Sequence, residues 1–498
     1  MKQFALFFQV LLFYGVSAQF TPSSYLSDWS NAGLLSDSFK PQKVLRIHPL
    51  PDTTTPVNEL FLQAFAQLNG KPGIVLLEEG RYLLNGTLNI PSNVMIKGRG
   101  PGKTIMYIQN NGSRHGLAVQ GQIKQKRTEI RPPDRGHRLI ELKEPLLESA
   151  QWIRWIRDDE HLCHNNWCQS TTGQLFKIEK TKGTTLFLHD VVRDSSAPGT
   201  NHYITIIQPA ENVFLESFTI IRLDKTTDQA SNIFFNYAIN CKVSEVESFY
   251  TNYAHVEARN SAHITIAGNY FSLSHGYGSG GRAYGVMLHL GTVNTLVMDN
   301  IFEHLRHSMI LQAGANGNVF AFNLSTHPRQ TTGVFGIEIE NTLTGDMVLH
   351  GNYPYANLFE GNRAWMAIAD NSHGASGPNN VFFKNHITRH GFSVVENNTN
   401  RIALINNYIE GPIILFFGRE HMEINTVTNS AIRRPQEVNI QTLTLALKCM
   451  DKSFQKAYKD AHTLQSIVLP AEIRYQSTVK TSSRYSRPAP KQSIRMQH

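Results

Sequence analysis

The sequence predicts an all-β solenoid, and three observations support this prediction: a short phrase repeated along the chain, strand signals separated by turns, and an amphipathic helix before the first repeat. In the phrase, an Asn follows an apolar residue by three positions and precedes an apolar pair, as in Ile266–Phe271 and Val297–Phe302. The repeated asparagines are Asn269, Asn300, Asn323, Asn362, Asn385 and Asn407. Their spacings of 31, 23, 39, 23 and 22 residues indicate a basic period with insertions, which is typical of a solenoid.

Each period is expected to form one coil of short strands joined by sharp turns. We expect the repeated Asn at a turn with a left-handed backbone, where its amide bonds to the equivalent amide of the next coil. Such an amide ladder is the ordinary structural use of stacked asparagines, and ligand binding is the alternative.

Two further regions depart from the repeat. From Val57 to Leu68 the apolar residues follow a helical stripe that ends at Asn69-Gly70, which predicts a lid over the first coil. Residues 123–200 are more charged and carry Trp152, Trp155 and Trp167, which predicts a β-rich insertion. These tryptophans form either the core of the insertion or a surface that stacks on sugars.

The predicted organisation of the chain covers every residue. It comprises a signal peptide (1–18), an irregular lead-in (19–56), the cap helix and first coils (57–122), the insertion (123–200), the main coils (201–417), a helical C-terminal cap region (418–475) and a basic disordered tail (476–498).

The N-terminus predicts secretion. Lys2, an apolar run from Phe4 to Val16 and a small-residue site cleaved near Ala18 are typical of a signal peptide. No later segment has about 18 consecutive apolar residues, so no transmembrane span is expected. Five of the eight net positive charges lie in the tail, so the body is nearly neutral and no nucleic-acid partner is expected.

The four cysteines suggest one local disulfide. Cys163 and Cys168 lie five residues apart, and in an oxidising compartment they are expected to pair. A zinc site with His161 and His164 is the alternative. Cys241 and Cys449 are expected to be buried free thiols.

A second strand lies about eleven positions before each Asn and is expected to carry an outward-facing polar column. Strand side chains alternate, so the last residue of each aligned set faces outward, with neighbouring coils about 4.8 Å apart. The column is Glu257, His289, Gln312, Glu340, Asp370 and Glu396. Stacked carboxylates would raise each other's pKa, which favours a functional use; a solvated sheet face is the alternative.

With its signal peptide, lid helix, coils of about 22 residues and Asn ladder, the chain resembles the right-handed parallel β-helix proteins of the pectate-lyase-like superfamily, over roughly residues 57–417. The resemblance implies a right-handed parallel β-helix solenoid and extracellular polysaccharide chemistry. The catalytic motifs of pectate lyases, polygalacturonases and alginate epimerases do not occur in the sequence, so no family's site residues are transferred.

The column and the loops beside it favour a polysaccharide lyase that acts on uronic acid sugars. Elimination needs a neutralised carboxylate and a base. The candidate bases are His289, His307 and His350, with Arg306 for the substrate carboxylate and Tyr353 as the acid. Calcium is the candidate cofactor, held by Glu338, Glu340 and Asp370. Glu257, Gln312, His373 and Glu396 are candidate substrate-binding residues.

Two other functions are consistent with the same residues. A glycoside hydrolase would use Glu340 and Asp370 as its carboxylate pair. A carbohydrate-binding or adhesive surface protein would use the tryptophans of the insertion and the basic tail. The expected partner is a polysaccharide in each case, and a homotrimer, as some β-helices form, is left open.

Overall fold

The computed structural model describes residues 27–36, 39–110, 115–146, 149–163, 165–194, 199–278, 280–334, 337–370, 372–394, 402–415, 422–428, 448, 450–461 and 464–481. Within them, parallel strands stack coil upon coil to form a right-handed parallel β-helix with three faces. The predicted signal peptide and most of the predicted basic tail lie outside the described residues.

The strands of each coil follow one another around the three faces, and the longer ones bend from one face to the next. The first face contains Lys43–Ile47, Gly73–Leu77, Val94–Lys97, Ala210–Glu211, Phe214–Arg222, Ala238–Thr251, Ala262–Ala267, Leu296–Met298, Val319–Ala321, Leu358–Glu360, Asn380–Phe383, Ile402–Ile409 and Met422–Thr428. The second face contains Gly80–Leu84, Thr104–Ile108, Tyr270–Ser274, Ile301–Glu303 and Leu324–Thr326, together with the bent parts of longer strands. The third face contains Leu88–Asn89, Leu117–Gln120, Ile233–Asn236, Ala254–Arg259, Tyr284–His289, His307–Leu311, Met347–His350, Arg363–Asp370, His386–Val394 and Ile413–Leu415.

Equivalent residues of successive coils stack inside the solenoid. On the third face, Val286 pairs with Met309, Met309 with Met347, and Met347 with Ala367, and all four are completely buried. A fully buried Val or Met side chain contributes about 1.5–3 kcal/mol of transfer free energy. The in-register stack therefore stabilises the fold and fixes which residues become neighbours on the outer surface.

The asparagine ladder runs through the buried turn between the first and second faces. Asn323 shows the pattern: its Nδ2 donates to Asn362 Oδ1 at 2.9 Å and to the Val297 carbonyl at 2.9 Å. The same bonds link Asn269, Asn300, Asn323, Asn362, Asn385 and Asn407 in order. The backbone prediction was wrong by one residue, because the left-handed residue precedes each Asn. These residues are Gly268, Asp299, Phe322, Gly361, Lys384 and Asn406.

The N-terminal lid is the helix Asn58–Leu68. It buries Phe61, Ala64, Phe65 and Leu68 and contacts the first two strands of the first face. Asn69 ends the helix in the left-handed conformation at φ 47°, with its N–H bonded to the Phe65 and Ala66 carbonyls. The helix thereby covers the open end of the hydrophobic core.

The insertion forms a separate six-stranded antiparallel sheet. Its strands are Gln122–Glu129, Leu139–Glu141, Trp152–Arg157, Gly173–Lys182, Thr185–Leu188 and His202–Gln208, and a 3₁₀ turn spans Asn166–Cys168. The whole of the last strand lies beyond the predicted boundary at residue 200. Trp155 is completely buried in the core of this sheet, and Trp152 is buried where the sheet meets the coils. Trp167 is 47% exposed.

The first C-terminal helix lies along the outside of the first face, and the second lies against Ile301 and Leu324 of the second face. Lys452–Asp460 buries Phe454 and Tyr458 against apolar side chains of that face, and Pro470–Thr481 follows it. Trp29 of the lead-in joins the same apolar cluster and donates its indole N–H to the Ala356 carbonyl at 2.7 Å. Both ends of the described chain therefore cover the same side of the solenoid.

A carboxylate also lies inside the coils. Asp346 is completely buried and accepts hydrogen bonds from Trp365 N at 2.8 Å, Met366 N at 3.0 Å and the Ser325 hydroxyl. Burial raises the pKa of Asp346 to about 6, against the opposing effect of these three donors.

Candidate functional site

The outer side of the third face carries a polar column, but its members differ from those predicted. Arg259 pairs with His289, and His350 pairs with Asp370. Gln312 follows Leu311, which pairs with Leu288 and Leu349, so it lies between His289 and His350. The column therefore reads Arg259, His289, Gln312, His350 and Asp370, at about one residue per 4.8 Å.

The prediction that Glu340 belongs to the column was wrong, and Glu338, a predicted calcium ligand, lies on the same strand. Strand Ile337–Asn341 forms an antiparallel hairpin with Gln330–Val334, outside the coils. Two segments of this long coil have the same apolar alternation. The second, Met347–His350, forms the strand of the third face, and its apolar residues are completely buried. Glu340 is exposed and forms an ion pair with Arg329.

Glu257 lies two residues before the column position Arg259, in register with Met287. Its side chain is completely buried, and each carboxylate oxygen has a partner. Oε1 accepts from His289 Nε2 at 3.0 Å and pairs with the Arg259 guanidinium at 2.8 Å. Oε2 accepts from the Ser231 hydroxyl at 2.6 Å. The result is a Glu–His–Arg cluster at one end of the column.

Stacked carboxylates were expected to raise each other's pKa, but the pKa of Glu257 is lowered. Burial opposes ionisation of Glu257, but the hydrogen bond from His289 and the nearby Arg259 charge lower its pKa to about 2. Burial lowers the pKa of His289 despite the bond to Glu257, so this imidazole is neutral near pH 7. Among the described residues, His289 Nδ1 is buried without a hydrogen-bond partner.

The other end of the column contains a more accessible His–Asp dyad. His350 Nδ1 donates to Asp370 Oδ2 at 2.7 Å, and the two side chains are 12% and 13% exposed. Asp370 Oδ1 also accepts from Ser372 N at 3.0 Å. Burial opposes ionisation of Asp370, but these bonds lower its pKa and keep it ionised. With Nδ1 protonated towards Asp370, a neutral His350 carries its lone pair on Nε2.

Two further histidines flank the dyad. The His373 and His307 rings lie 4.9 Å and 5.8 Å from the His350 ring. Burial, with the charge of Arg306 next, lowers the pKa of His307 to about 3, and burial also lowers the pKa of His373. Four residues proposed from the sequence therefore meet here: His307, His350, Asp370 and His373.

Loops border the third face on both sides. On one side, Arg306 Nη1 donates to the Gly278 carbonyl at 3.3 Å, and the hairpin joins the same loop through Thr331 N and the Tyr277 carbonyl at 3.1 Å. On the other side, the insertion reaches the dyad, since Asn165 Oδ1 accepts from His373 Nδ1 at 3.1 Å. The column thus lies between two walls.

Tyr353, the predicted acid, lies at the insertion side of this face. It is buried, and the Arg157 guanidinium carbon lies 5.2 Å from its ring centroid. Burial, with the charge of Asp194 next, raises the pKa of the Tyr353 phenol. No contact in the described structure joins it to His350.

Two of the predicted calcium ligands, Glu338 and Glu340, lie on the hairpin, and the third, Asp370, lies on the coils. Asp370 is bonded to His350, Glu340 is paired with Arg329, and Glu338 lies on the same hairpin as Glu340. Among the residues that the structure describes, no group of three His, Cys, Asp or Glu side chains is arranged to hold a metal ion. The zinc alternative for Cys163 and Cys168 fails because the two form a disulfide. Glu396 and Cys449 lie outside the described residues, and Cys241 is a buried free thiol.

Sequence reasoning missed three residues of this face: Arg259, Ser231 and Asn165. Arg259 could have been found, because moving the alignment by two positions from Glu257 brings it into register with His289. Ser231 and Asn165 come from loops before a strand and within the insertion, where no repeat marks them.

These features define the chain as a right-handed parallel β-helix protein with a walled polar face. No protein-family model matches the sequence, and no curated protein matches it. None of the described helices has the length and apolar character needed to cross a membrane.

Solved structures similar to this chain come from several organisms. The tailspike protein gp49 from Pseudomonas phage LKA1 matches with 16% identity and a TM-score of 0.54, over 70% of this chain and 57% of that one. An exopolygalacturonase from Thermotoga maritima has 10% identity and a TM-score of 0.41, over 82% and 95% of the two chains. The gp54 tailspike of Acinetobacter baumannii bacteriophage AP22, solved with a capsular saccharide, has 10% identity and a TM-score of 0.40, over 76% and 73%. The first match shows a shared fold alone, and this chain spans little more than half of that tailspike.

Proposed function

We propose that this chain is a secreted, carbohydrate-active enzyme that cleaves a uronate-containing polysaccharide by β-elimination. The observation that carries the proposal is the His350–Asp370 dyad: a partly exposed imidazole held by an ionised carboxylate at 2.7 Å, on a walled face. A histidine oriented in this way can accept a proton on Nε2 as a general base.

In the proposed step, His350 Nε2 takes the C5 proton of the uronate. The released electron pair forms the C4–C5 double bond while the C4–O4 bond to the next sugar breaks. The leaving O4 oxygen receives a proton from water. Asp370 keeps Nδ1 protonated and stabilises the imidazolium that forms.

Arg306 is the residue proposed to neutralise the uronate carboxylate. Its charge acts on His307, which adjoins His350. Its side chain is partly exposed, so the guanidinium can reach an anion on this face. A guanidinium paired with a carboxylate makes the adjacent C5 proton more acidic without a metal ion.

A hydrolase is less well supported. Two carboxyl groups flanking the bond are required, and the predicted pair is separated because Glu340 belongs to the hairpin and Asp370 is bonded to His350. A non-catalytic glycan-binding protein is the second candidate, favoured by the exposure of Trp167 beside the same face.

The test is incubation of the mature protein with acidic and neutral polysaccharides, with and without chelator. Elimination leaves an unsaturated sugar that absorbs ultraviolet light, whereas hydrolysis gives only new reducing ends. We expect His350→Asn to abolish the absorbance signal, with a loss of about 100-fold or more. His137→Asn, at an exposed histidine of the insertion, is the matched control and should retain full activity.

Three results would contradict the proposal. Reducing ends without ultraviolet absorbance would indicate hydrolysis. Glycan binding without any product would indicate the binding protein. Full activity of His350→Asn would remove the assigned base. Sequencing the N-terminus of the protein recovered from the medium tests the proposed cleavage near Ala18.

A further inference from the structure

We propose that Trp167 is a stacking platform for a sugar ring of the same glycan, placed beside the His350–Asp370 dyad by a disulfide-closed loop. This inference rests on the proposed function, because it assigns a binding role within the same site. The ligand is a pyranose sugar whose apolar C–H face covers the indole.

The exposure of Trp167 is the first observation. The other two tryptophans of the insertion are buried: Trp155 is completely buried, and Trp152 is 2% exposed. Trp167 is 47% exposed, although burial of so large an aromatic surface would be favourable. An indole left in water at the edge of a polar face is suited to a ligand that has both an apolar face and hydroxyl groups.

The position of Trp167 is the second observation. Its ring lies 5.7 Å from the His373 ring in an edge-on arrangement, and the His373 ring lies 4.9 Å from the His350 ring. Asn165, two residues earlier in the loop, holds His373 Nδ1 at 3.1 Å. Trp167 is therefore one ring beyond the dyad, where a sugar next to the cleaved bond would lie.

The third observation is that the loop is held in place before any ligand arrives. The Cys163–Cys168 disulfide closes it, and both cysteines are buried. Asp159, which precedes the loop, binds the residues that follow it: its carboxylate accepts from the backbone N–H groups of Ser170, Thr171 and Thr172 at 2.6, 2.9 and 2.8 Å. A platform fixed in this way loses little conformational entropy when it binds.

The loop is also docked on the coils. A Cβ placed on Gly314 would lie only 2.3 Å from the Thr171 carbonyl oxygen, and Gly314 has φ +71°. Asn316 Nδ2 and the Tyr355 hydroxyl donate to the Gly173 carbonyl at 2.9 and 2.6 Å. The third face and the loop are therefore one rigid arrangement, and the loop forms the wall on the dyad side.

The test measures binding separately from catalysis. Oligosaccharide fragments of the polysaccharide bound by the wild-type chain are titrated into the full-length His350→Asn variant, with and without Trp167→Ala, by calorimetry. Trp167→Ala should weaken binding about tenfold, and Trp167→Phe should keep most of the affinity, because an aromatic face remains. Phe187→Ala, at a 37% exposed aromatic residue of the same insertion, is the matched control and should bind like the parent.

Reduction of the disulfide is an independent test of the same inference. Dithiothreitol should weaken glycan binding when Trp167 is present and leave the Trp167→Ala variant unchanged, because the loop acts through that indole. Equal binding by Trp167→Ala and its parent, or equal loss on reduction with and without Trp167, would overturn this inference while the proposed function stands. If the wild-type chain neither binds nor cleaves any glycan, the proposed function fails and this inference fails with it.

Discussion

Replacing the buried Asp346 with Asn should make the stability of the solenoid less dependent on pH. The pKa of Asp346 rises from its ordinary 3.8 to about 6 on folding, and one pKa unit corresponds to about 1.4 kcal/mol. The folded state therefore binds the proton more tightly than the unfolded chain. Its contribution is fully present below about pH 4 and is lost as the pH rises through 6, by about 3 kcal/mol in total.

Asn is a close mimic of the protonated carboxyl group. Its carbonyl oxygen can accept from Trp365 N and Met366 N, as Asp346 Oδ2 does. The Asp346→Asn variant should gain about 3 kcal/mol in free energy of unfolding over the wild type between pH 4 and pH 7. Asp228→Asn, at an exposed acid of the same solenoid, should run parallel to the wild type.

Guanidinium denaturation followed by circular dichroism, repeated at half-unit steps of pH, measures both differences. Charge effects elsewhere cancel between wild type and variant. A gap between the wild-type and Asp346→Asn curves that stays constant from pH 4 to 7 would refute the reasoning, since it would mean that Asp346 titrates alike in the folded and unfolded chain.

Three further substitutions test other parts of the structure. Asn362→Ala removes two donated and two accepted side-chain hydrogen bonds. It should lower the free energy of unfolding by about 4 kcal/mol. A loss below about 1 kcal/mol in the same denaturation assay would show that the ladder is dispensable. Glu257 has its pKa lowered to about 2 from 4.5, so it stabilises the fold above about pH 4.5 and loses this contribution as the pH falls to 2; in acid titrations Glu257→Gln should unfold with a shallower pH dependence, and an unchanged slope would contradict the ion pair with Arg259. Phe454→Ala empties a buried site that faces the Phe322 ring at 5.3 Å. It should lower the free energy of unfolding by about 3–5 kcal/mol. Limited proteolysis should then release the helix Lys452–Asp460, and resistance equal to that of the wild type would argue against this docking.

Local patterns in the sequence were sufficient to predict the coils. The period of the asparagines and the alternation of each strand depend on neighbouring residues, so the fold and the outward position of His289, Gln312 and Asp370 could be predicted. The expectation that each Asn is itself left-handed was wrong, because the amide ladder holds the Asn side chain and the bend falls on the residue before it.

The site was harder to predict because it depends on choices between distant alternatives. Glu340 and His350 end two similar apolar segments of one long coil, and only the packing of Met347 and Leu349 inside the solenoid decides between them. The approach of Asn165 to His373 depends on a contact across 208 positions, which no local period encodes. Burial of the column also escaped prediction, because the loops that wall it fold independently of the repeat.

The single left-handed residue before each ladder asparagine has a consequence for how the ends of the chain attach. The ladder constrains the asparagine, whereas the preceding position accepts residues as different as Gly, Asp, Phe and Lys. Those side chains hold the C-terminal helices: Asp299 pairs with Arg474, the Phe322 ring meets Tyr458 at 5.0 Å, and Lys384 Nζ donates to the Tyr458 carbonyl at 2.9 Å. The bends at Asp299, Phe322 and Lys384 therefore also provide anchor points for the C-terminal helices, away from the third face.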